Sequence, residues 1–298
     1  MQGSKLEMVR SNSFIALIEQ LRPKQWTKNI LVFAALIFSL QVATLEAVLQ
    51  TVIGFFLFSF TSSCVYILND FLDLDADRAH PTKRFRPMAS GALSPSIALP
   101  FGVLLLLSSL GMGFYLNVPF GLLLCTYFIM NVAYCLVLKH VVIVDVMTIA
   151  AGFVFRAIGG GLVIGVPLTP WFLVCTMLLS LFLAISKRLH EFKQAEKHGL
   201  TPRKVLQFYN AELLGQMSSI VTTATIISYA LFTFSSGNTI QLMWTIPFVL
   251  YGIFRYLYLI HVEGKGGSPD KLLFEDKPIL ITVILYGISV VFILTYFE

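Results

Sequence analysis

Apolar runs of about 20 residues recur along nearly the whole chain, and nothing else restricts its fold so tightly. A helix rising about 1.5 Å per residue crosses a hydrocarbon core about 30 Å thick with such a run. Nine are read, at 30–49, 51–70, 95–116, 119–138, 141–164, 170–187, 217–236, 241–260 and 278–297, each bounded by Pro, Gly, Asn or charge. None shows the alternation of a barrel strand, and in lipid each must satisfy its own backbone hydrogen bonds. The expected fold class is all-α: a polytopic membrane protein of nine transmembrane helices. With 57% hydrophobic and 12% charged residues and a mean hydropathy of +0.81, the composition excludes an ordinary soluble domain.

Charge sets the expected orientation. The 21 Lys and Arg residues fall before the first run and after the second, fourth, sixth and eighth, apart from Arg156 and Arg255. The alternate loops hold none, which predicts a cytoplasmic N-terminus and an external C-terminus in a cell (inner) membrane. Among the acids, only Glu46 and Glu298 fall on the external side, so any chemistry is expected to face the cytoplasm. The net charge of +5 is explained by orientation and an anionic inner leaflet, and nucleic acid is not an expected partner. Cys64, Cys125, Cys135 and Cys175 lie inside the apolar runs without metal-ligand spacing, so no disulfide framework is implied. The first 29 residues carry charge and no apolar core of signal-peptide type, so no cleaved leader is expected. Without repeats or long linkers, residues 1–298 read as a single transmembrane domain.

The densest charge is the stretch NDFLDLDADRAHPTKRFRPMASG, residues 69 to 91. Asn69, Asp73 and Asp77 are spaced by four, so on a helix continuing from the second run they form one oxygen-rich stripe. Asp70 reaches its edge, three residues before Asp73, whereas Asp75 faces away. Stacked carboxylates repel unless a cation sits among them, and Mg²⁺ binds through one or two carboxylates while completing its shell with water and phosphate. His80, Lys83, Arg84 and Arg86 follow within seven residues, stiffened by Pro81 and Pro87. Acids for a metal followed by bases for phosphate suggest a diphosphate site. The bland alternative is a solvated loop that only sets topology, but that needs the bases alone.

NDFLDLDAD matches the NDxxDxxxD motif of the UbiA-type intramembrane prenyltransferase superfamily. That resemblance implies nine helices around a central cavity open to the cytoplasm. The extension DADRAHPTKRFRPMASG resembles the branch that moves a phosphoribosyl group to decaprenyl phosphate rather than a prenyl group. LRPKQWTKNILVF, AYCLVLKH, FRAIGGG, PLTPWFL, SKRLHEF and SPDKLLFEDKP resemble the same branch from end to end. Prenyltransferases of the superfamily carry a second aspartate-rich motif at the cytoplasmic end of helix six; this chain reads SKRLHEFKQAE there, with Lys187, Arg188 and Glu191. More cation suits more phosphate, as in phosphoribosyl diphosphate with a lipid phosphate acceptor. The alternative for these residues is a helix-end topology charge near a C-terminal dipole, preferred for Lys193 and Lys197.

Arg156 lies deep in the fifth run, where insertion costs roughly 2.5–3.5 kcal/mol or more. It either contacts a substrate phosphate or pairs with a buried acid such as Asp145, and Gly159 to Gly161 permit a close helix approach or local opening. Tyr134 and Lys139 resemble a recurrent superfamily feature, though Lys139 could equally snorkel. Arg255 with Asp276 reads as a structural ion pair. Trp26 with Arg22, Lys24 and Lys28 reads as an interfacial anchor, and Lys24 and Tyr66 join the expected substrate-binding set.

The implied chemistry is Mg²⁺-dependent transfer of 5-phosphoribose from phosphoribosyl diphosphate to a polyprenyl phosphate in the bilayer, a step toward a lipid-linked arabinose donor. No general base is required, since the acceptor phosphate is already ionised. Two rivals stand beside it: a prenyltransferase using an isoprenyl diphosphate, and a transporter.

Overall fold

A computed structural model describes residues 13–39, 43–198, 204–235, 239–267 and 269–297. They form helices and connecting turns, with no strand among the described residues. The short α1 (Ser13–Gln20) leads into a 3-10 run, Pro23–Phe33, and α2 (Ala34–Ile37). Then come α3 (Leu45–Leu72), α4 (Leu74–Ala79), α5 (Pro95–Leu116), α6 (Val118–Leu136), α7 (Val144–Ile164) and α8 (Pro170–His198). The last four are α9 (Ala211–Ser235), α10 (Ile246–His261), α11 (Pro269–Glu275) and α12 (Lys277–Phe297).

Among the described residues, eight helices are long and apolar enough to cross a membrane: α3, α5, α6, α7, α8, α9, α12 and the Ile240–His261 run ending in α10. The protein is a multi-pass membrane protein. The expected first span, 30–49, is not one continuous helix among those residues. Helical geometry lapses at Phe38, and a new helix starts at Leu45, where Thr44 Oγ1 accepts the Ala47 N–H at 3.2 Å as an N-terminal cap. Residues 45–49 therefore join the second span. The resulting α3 has 28 residues, about 42 Å at 1.5 Å per residue, longer than a hydrocarbon core about 30 Å thick. Asn69 and Asp70 stand in its last turn.

The described residues divide into two compact units, one within Met1–Asn29 and Phe56–Phe128, the other within Ile30–Phe55 and Ile129–Glu298. In the first, Ala16 of α1 packs with Ile67, Met88, Leu93 and Ala98. Phe58 packs edge-on against Phe120 and Tyr127, joining α3 to α6. The α5–α6 hairpin is tight enough that a Cβ on Gly113 would lie 2.8 Å from Leu124.

In the second unit Val146, Phe182, Ile185, Leu214 and Leu259 make one core from α7, α8, α9 and α10. Gly160 on α7 lies directly against the Val32 backbone, where a Cβ would sit 2.0 Å from the carbonyl oxygen. Of the two uses open to the Gly159–Gly161 run, close approach is the one observed at Gly160. At the end of α10, Gly264 at φ 66° closes a left-handed cap, with the Lys265 N–H returning to Leu259 O at 2.9 Å.

Candidate active site

The acidic motif lies in the first unit. Regular helix lapses at Asp73, yet Asp73 N bonds Asn69 O at 3.0 Å and Asp77 N bonds Asp73 O at 2.8 Å. The four-residue register thus continues from α3 into α4, and Asn69, Asp73 and Asp77 follow one another a turn apart. Asp77 and Asp70 are each only 2% exposed.

Burial on that scale obliges the two carboxylates to find cations. Arg86 supplies one: its Nη1 bonds Asp70 Oδ1 at 2.9 Å and also Asp77 Oδ2. Lys83 Nζ stands 3.8 Å from Asp77 Oδ1. Asp70 takes two further donors, Gln20 Nε2 at 2.8 Å and Arg22, whose guanidinium lies over the Tyr66 ring at 4.8 Å. The stretch HPTKRFRP has therefore folded back onto the acids that precede it. His80 is exposed and its Nδ1 accepts the Thr82 N–H at 3.2 Å; exposed Arg84 lies over Phe85. Asp75 points outward and pairs with Arg78 at 3.1 Å.

Several expectations change on this geometry. Asp70 was read as an edge ligand for metal, but both its oxygens are occupied by Gln20, Arg22 and Arg86. Arg22 was read as a membrane anchor, yet it is drawn to Asp70 because a buried carboxylate outcompetes the interface. Trp26 is docked on α3, donating to Ser63 Oγ at 3.1 Å and meeting Phe56 and Phe60 edge-on. Lys24 stays exposed.

No group of three His, Cys, Asp or Glu residues among those described is gathered closely enough to hold a metal by itself. The residues that would hold an ion here are Asn69, Asp73 and, through Oδ1, Asp77, whose Oδ2 is taken by Arg86, with the remaining oxygens coming from outside the protein. That donor set fits Mg²⁺, which typically uses one or two carboxylates and completes its octahedron with water and substrate phosphate.

The second unit holds the other candidates around one buried network. Arg188 is 2% exposed and commits its whole guanidinium: Nε to Asp145 Oδ2 at 2.8 Å, Nη1 to Glu191 Oε2 at 2.7 Å and Nη2 to the Tyr134 hydroxyl at 3.4 Å. The expected substrate contact at Arg188 is thus an inward ion pair. Asp145, 0% exposed, takes its second bond from the Tyr209 hydroxyl at 2.8 Å. Burial pushes the Tyr209 phenol up to about 12, so it remains a donor at physiological pH.

Tyr209 also accepts the Ile143 N–H at 2.8 Å. Ile143 stands at φ 70°, ψ −46°, a γ-turn-like conformation that is rare for a β-branched residue and costs on the order of 1–3 kcal/mol. It ends the turn that carries Lys139, in the 3-10 segment Leu138–His140, and precedes the first turn of α7. Lys187, one residue before Arg188, is half-buried.

Arg156, 6% exposed, donates to Gly152 O at 2.7 Å and lies 5.2 Å from the Phe153 ring centre. Asp145 is not the partner considered for it: the two are eleven residues apart on one straight helix, about 16 Å, beyond the reach of an ion pair. Arg255 does pair with Asp276, at 2.8 Å, as expected, and with Glu263 at 3.7 Å. That bond holds the Asp276 carboxyl below the usual range.

Sequence reading missed Gln20 and Tyr209. Gln20, 1% exposed, sits at the end of a short apolar helix with no motif to flag it. Tyr209 lies 64 residues from Asp145, and the available signal was the acid itself: a carboxylate within an apolar run demands a donor from somewhere.

Comparison with known proteins follows the same lines. The UbiA prenyltransferase family model matches residues 30–274. The decaprenyl-phosphate phosphoribosyltransferase of Mycolicibacterium smegmatis is 32% identical over 284 residues, covering 91% of this chain and 89% of that protein. The Corynebacterium glutamicum protein of the same name is 33% identical over 300 residues, covering 97% and 90%. A UbiA homolog from Archaeoglobus fulgidus, solved bound to GPP and Mg²⁺, superposes with a TM-score of 0.71 at 20% identity, covering 94% of this chain and 99% of that one. Family match, near-complete relatives and fold agree: the chain belongs to the UbiA prenyltransferase family.

Proposed function

We propose that this protein transfers the 5-phosphoribosyl group of phosphoribosyl diphosphate to a polyprenyl phosphate such as decaprenyl phosphate, releasing diphosphate. The observation that carries the reading is the end of α8. There an isoprenyl-diphosphate enzyme would need a second acidic metal site, but this chain has Lys187 beside an Arg188 that already engages Asp145 and Glu191. Full-length similarity to relatives named for this activity supports the same conclusion.

In this reading Asn69, Asp73 and Asp77 hold Mg²⁺, which when bound supplies positive charge against the diphosphate. Lys83, Arg84 and Arg86 neutralise charge that develops on the leaving group. Lys139 and Lys187 serve the remaining phosphates. An acceptor phosphate oxygen attacks ribose C1, the C1–O bond to diphosphate breaks, and diphosphate departs with the electron pair. No proton has to be removed, so no general base is sought. The active site faces the cytoplasm, the N-terminus lies on that side, and residues 1–298 work as one transmembrane enzyme. The acceptor's tail lies in the bilayer.

The test is to incubate purified protein with Mg²⁺, polyprenyl phosphate and either phosphoribosyl diphosphate or an isoprenyl diphosphate, and to weigh the lipid products. Polyprenyl-phosphoryl 5-phosphoribose is expected. A prenylated acceptor, or no product from either donor, rejects the reading.

A further inference from the structure

We infer that Tyr209 is a positioning residue: its hydroxyl clamps the strained Ile143 turn to Asp145 and so fixes where Lys139 is presented to a substrate phosphate. The inference rests on the phosphoribosyl-transfer reading for the identity of that phosphate, though the clamp itself does not.

Both sides of the clamp are rigid. Tyr209 is 4% exposed, its ring packed in the core of the second unit. Its N–H returns to Leu206 O at 3.2 Å, closing the 3-10 turn before it. The next residue, Asn210, caps α9, with Oδ1 accepting the Leu213 N–H at 2.7 Å. The phenol is thus aimed by a turn on one side and a helix start on the other. Its single proton goes to Asp145 and its oxygen accepts from Ile143, so both roles of a hydroxyl are used.

On the receiving side, Asp145 is anchored independently by Arg188, whose other nitrogens reach Glu191 and Tyr134. Ile143 has no reason of its own to remain at φ 70°, where a branched side chain is disfavoured. The bond from its N–H to Tyr209 is an external hold on that conformation. Immediately upstream, the turns His140 N to Val137 O at 3.0 Å and Val141 N to Leu138 O at 3.1 Å wind the backbone around Lys139. The bonds Asp145 N to Val141 O and Met147 N to Ile143 O, 3.0 Å each, also tie this segment to α7, so releasing Ile143 from Tyr209 loosens the turn without detaching it. Tyr209 therefore acts on Lys139 through the backbone, without touching substrate.

The full-length protein in detergent or nanodiscs gives two independent readouts for Tyr209→Phe, which keeps the packed ring and deletes only the hydroxyl. Amide hydrogen exchange across 138–143 is expected to accelerate roughly 10-fold or more, with the rest of α7 and α8 unchanged. With phosphoribosyl diphosphate, KM is expected to rise about tenfold at nearly constant kcat, the pattern of a displaced binding group. Ile143→Gly supplies the rescue, since glycine adopts positive φ without steric cost. In that background Tyr209→Phe is expected to change KM less than about threefold, a non-additivity that a general loss of stability would not produce. Unchanged kinetics and exchange in Tyr209→Phe overturn the proposal. So do exchange spread over the whole unit, or equal effects in the two backgrounds. If the wild-type protein does not use phosphoribosyl diphosphate, yet Tyr209→Phe shows the localised exchange, the substrate reading is refuted while the clamp is supported.

Discussion

Replacing Arg86 with alanine removes one guanidinium nitrogen shared by two buried carboxylates. At 2.9 Å and an effective dielectric of about 20, each contact is worth about 6 kcal/mol of gross Coulomb attraction, most of it offset by desolvating the ions. Breaking a buried pair by deleting one partner typically costs about 3–5 kcal/mol, because the remaining charge is stranded. Arg86 is a quarter exposed, so solvent relieves part of that, and about 2–3 kcal/mol is expected.

The loss is unequal between the two acids. Asp70 keeps Gln20 and Arg22, whereas Asp77 keeps only Lys83 at 3.8 Å among its described ion pairs. Adding Asp77→Asn to Arg86→Ala should therefore recover most of the lost stability, and adding Asp70→Asn much less. The assay is the thermal unfolding midpoint of purified protein, followed by tryptophan fluorescence in detergent, with a fall on the order of 3–5 °C for the single variant. Mg²⁺ should raise the midpoint of Arg86→Ala more than that of the wild type, since another cation then meets the stranded acid. An unchanged midpoint, or rescue by Asp70→Asn equal to that by Asp77→Asn, would refute the bridge as a source of stability.

Asp73→Ala should abolish Mg²⁺-dependent transfer of radiolabelled phosphoribose into a lipid extract, and retained activity in the purified variant rejects Asp73 as a ligand. Gly160→Ala puts a methyl 2.0 Å from the Val32 carbonyl oxygen, and since backbone cannot yield as a flexible side chain does, little folded protein should elute on size exclusion. Asp276 is held below the usual carboxylate range by Arg255, so its contribution is complete above its unfolded pKa of about 3.9 and disappears as pH falls through the lower folded value. Asp276→Asn should accordingly flatten the decline of the unfolding midpoint below about pH 4, and an undiminished decline counts against the pair.

What could be read in advance follows the range over which each cause acts. Hydropathy is local, so eight of the nine expected spans correspond to span-length helices among the described residues. The helix end at Phe38 and the new start at Leu45 were not visible, because the sequence FSLQVAT is apolar enough to pass for helix and the cap at Thr44 is a single hydroxyl. The spacing of Asn69, Asp73 and Asp77 was legible because it needs only a helical register, which the hydrogen bonds carry through the lapse at Asp73. The position of Arg86 was not legible: a linear order of acids then bases is equally compatible with two separate halves and with bases folded back onto acids.

The end of α8 shows how much that distinction matters. In sequence, Lys187 and Arg188 together replace acids by cations, which suggests a local surplus of two positive charges. In the structure, Arg188 is engaged by buried Asp145 and by the partly exposed Glu191, so its charge is met within the protein. Any cationic role toward substrate therefore devolves on Lys187, while Arg188 ties α8 to α7 and, through Asp145, to Tyr209. The two neighbours should then fail differently. Lys187→Ala should raise KM for phosphoribosyl diphosphate with the unfolding midpoint nearly unchanged. Arg188→Ala strands the buried Asp145 and should lower the midpoint first. If both variants lose substrate affinity and neither loses stability, the buried network is not what holds the end of α8 in place.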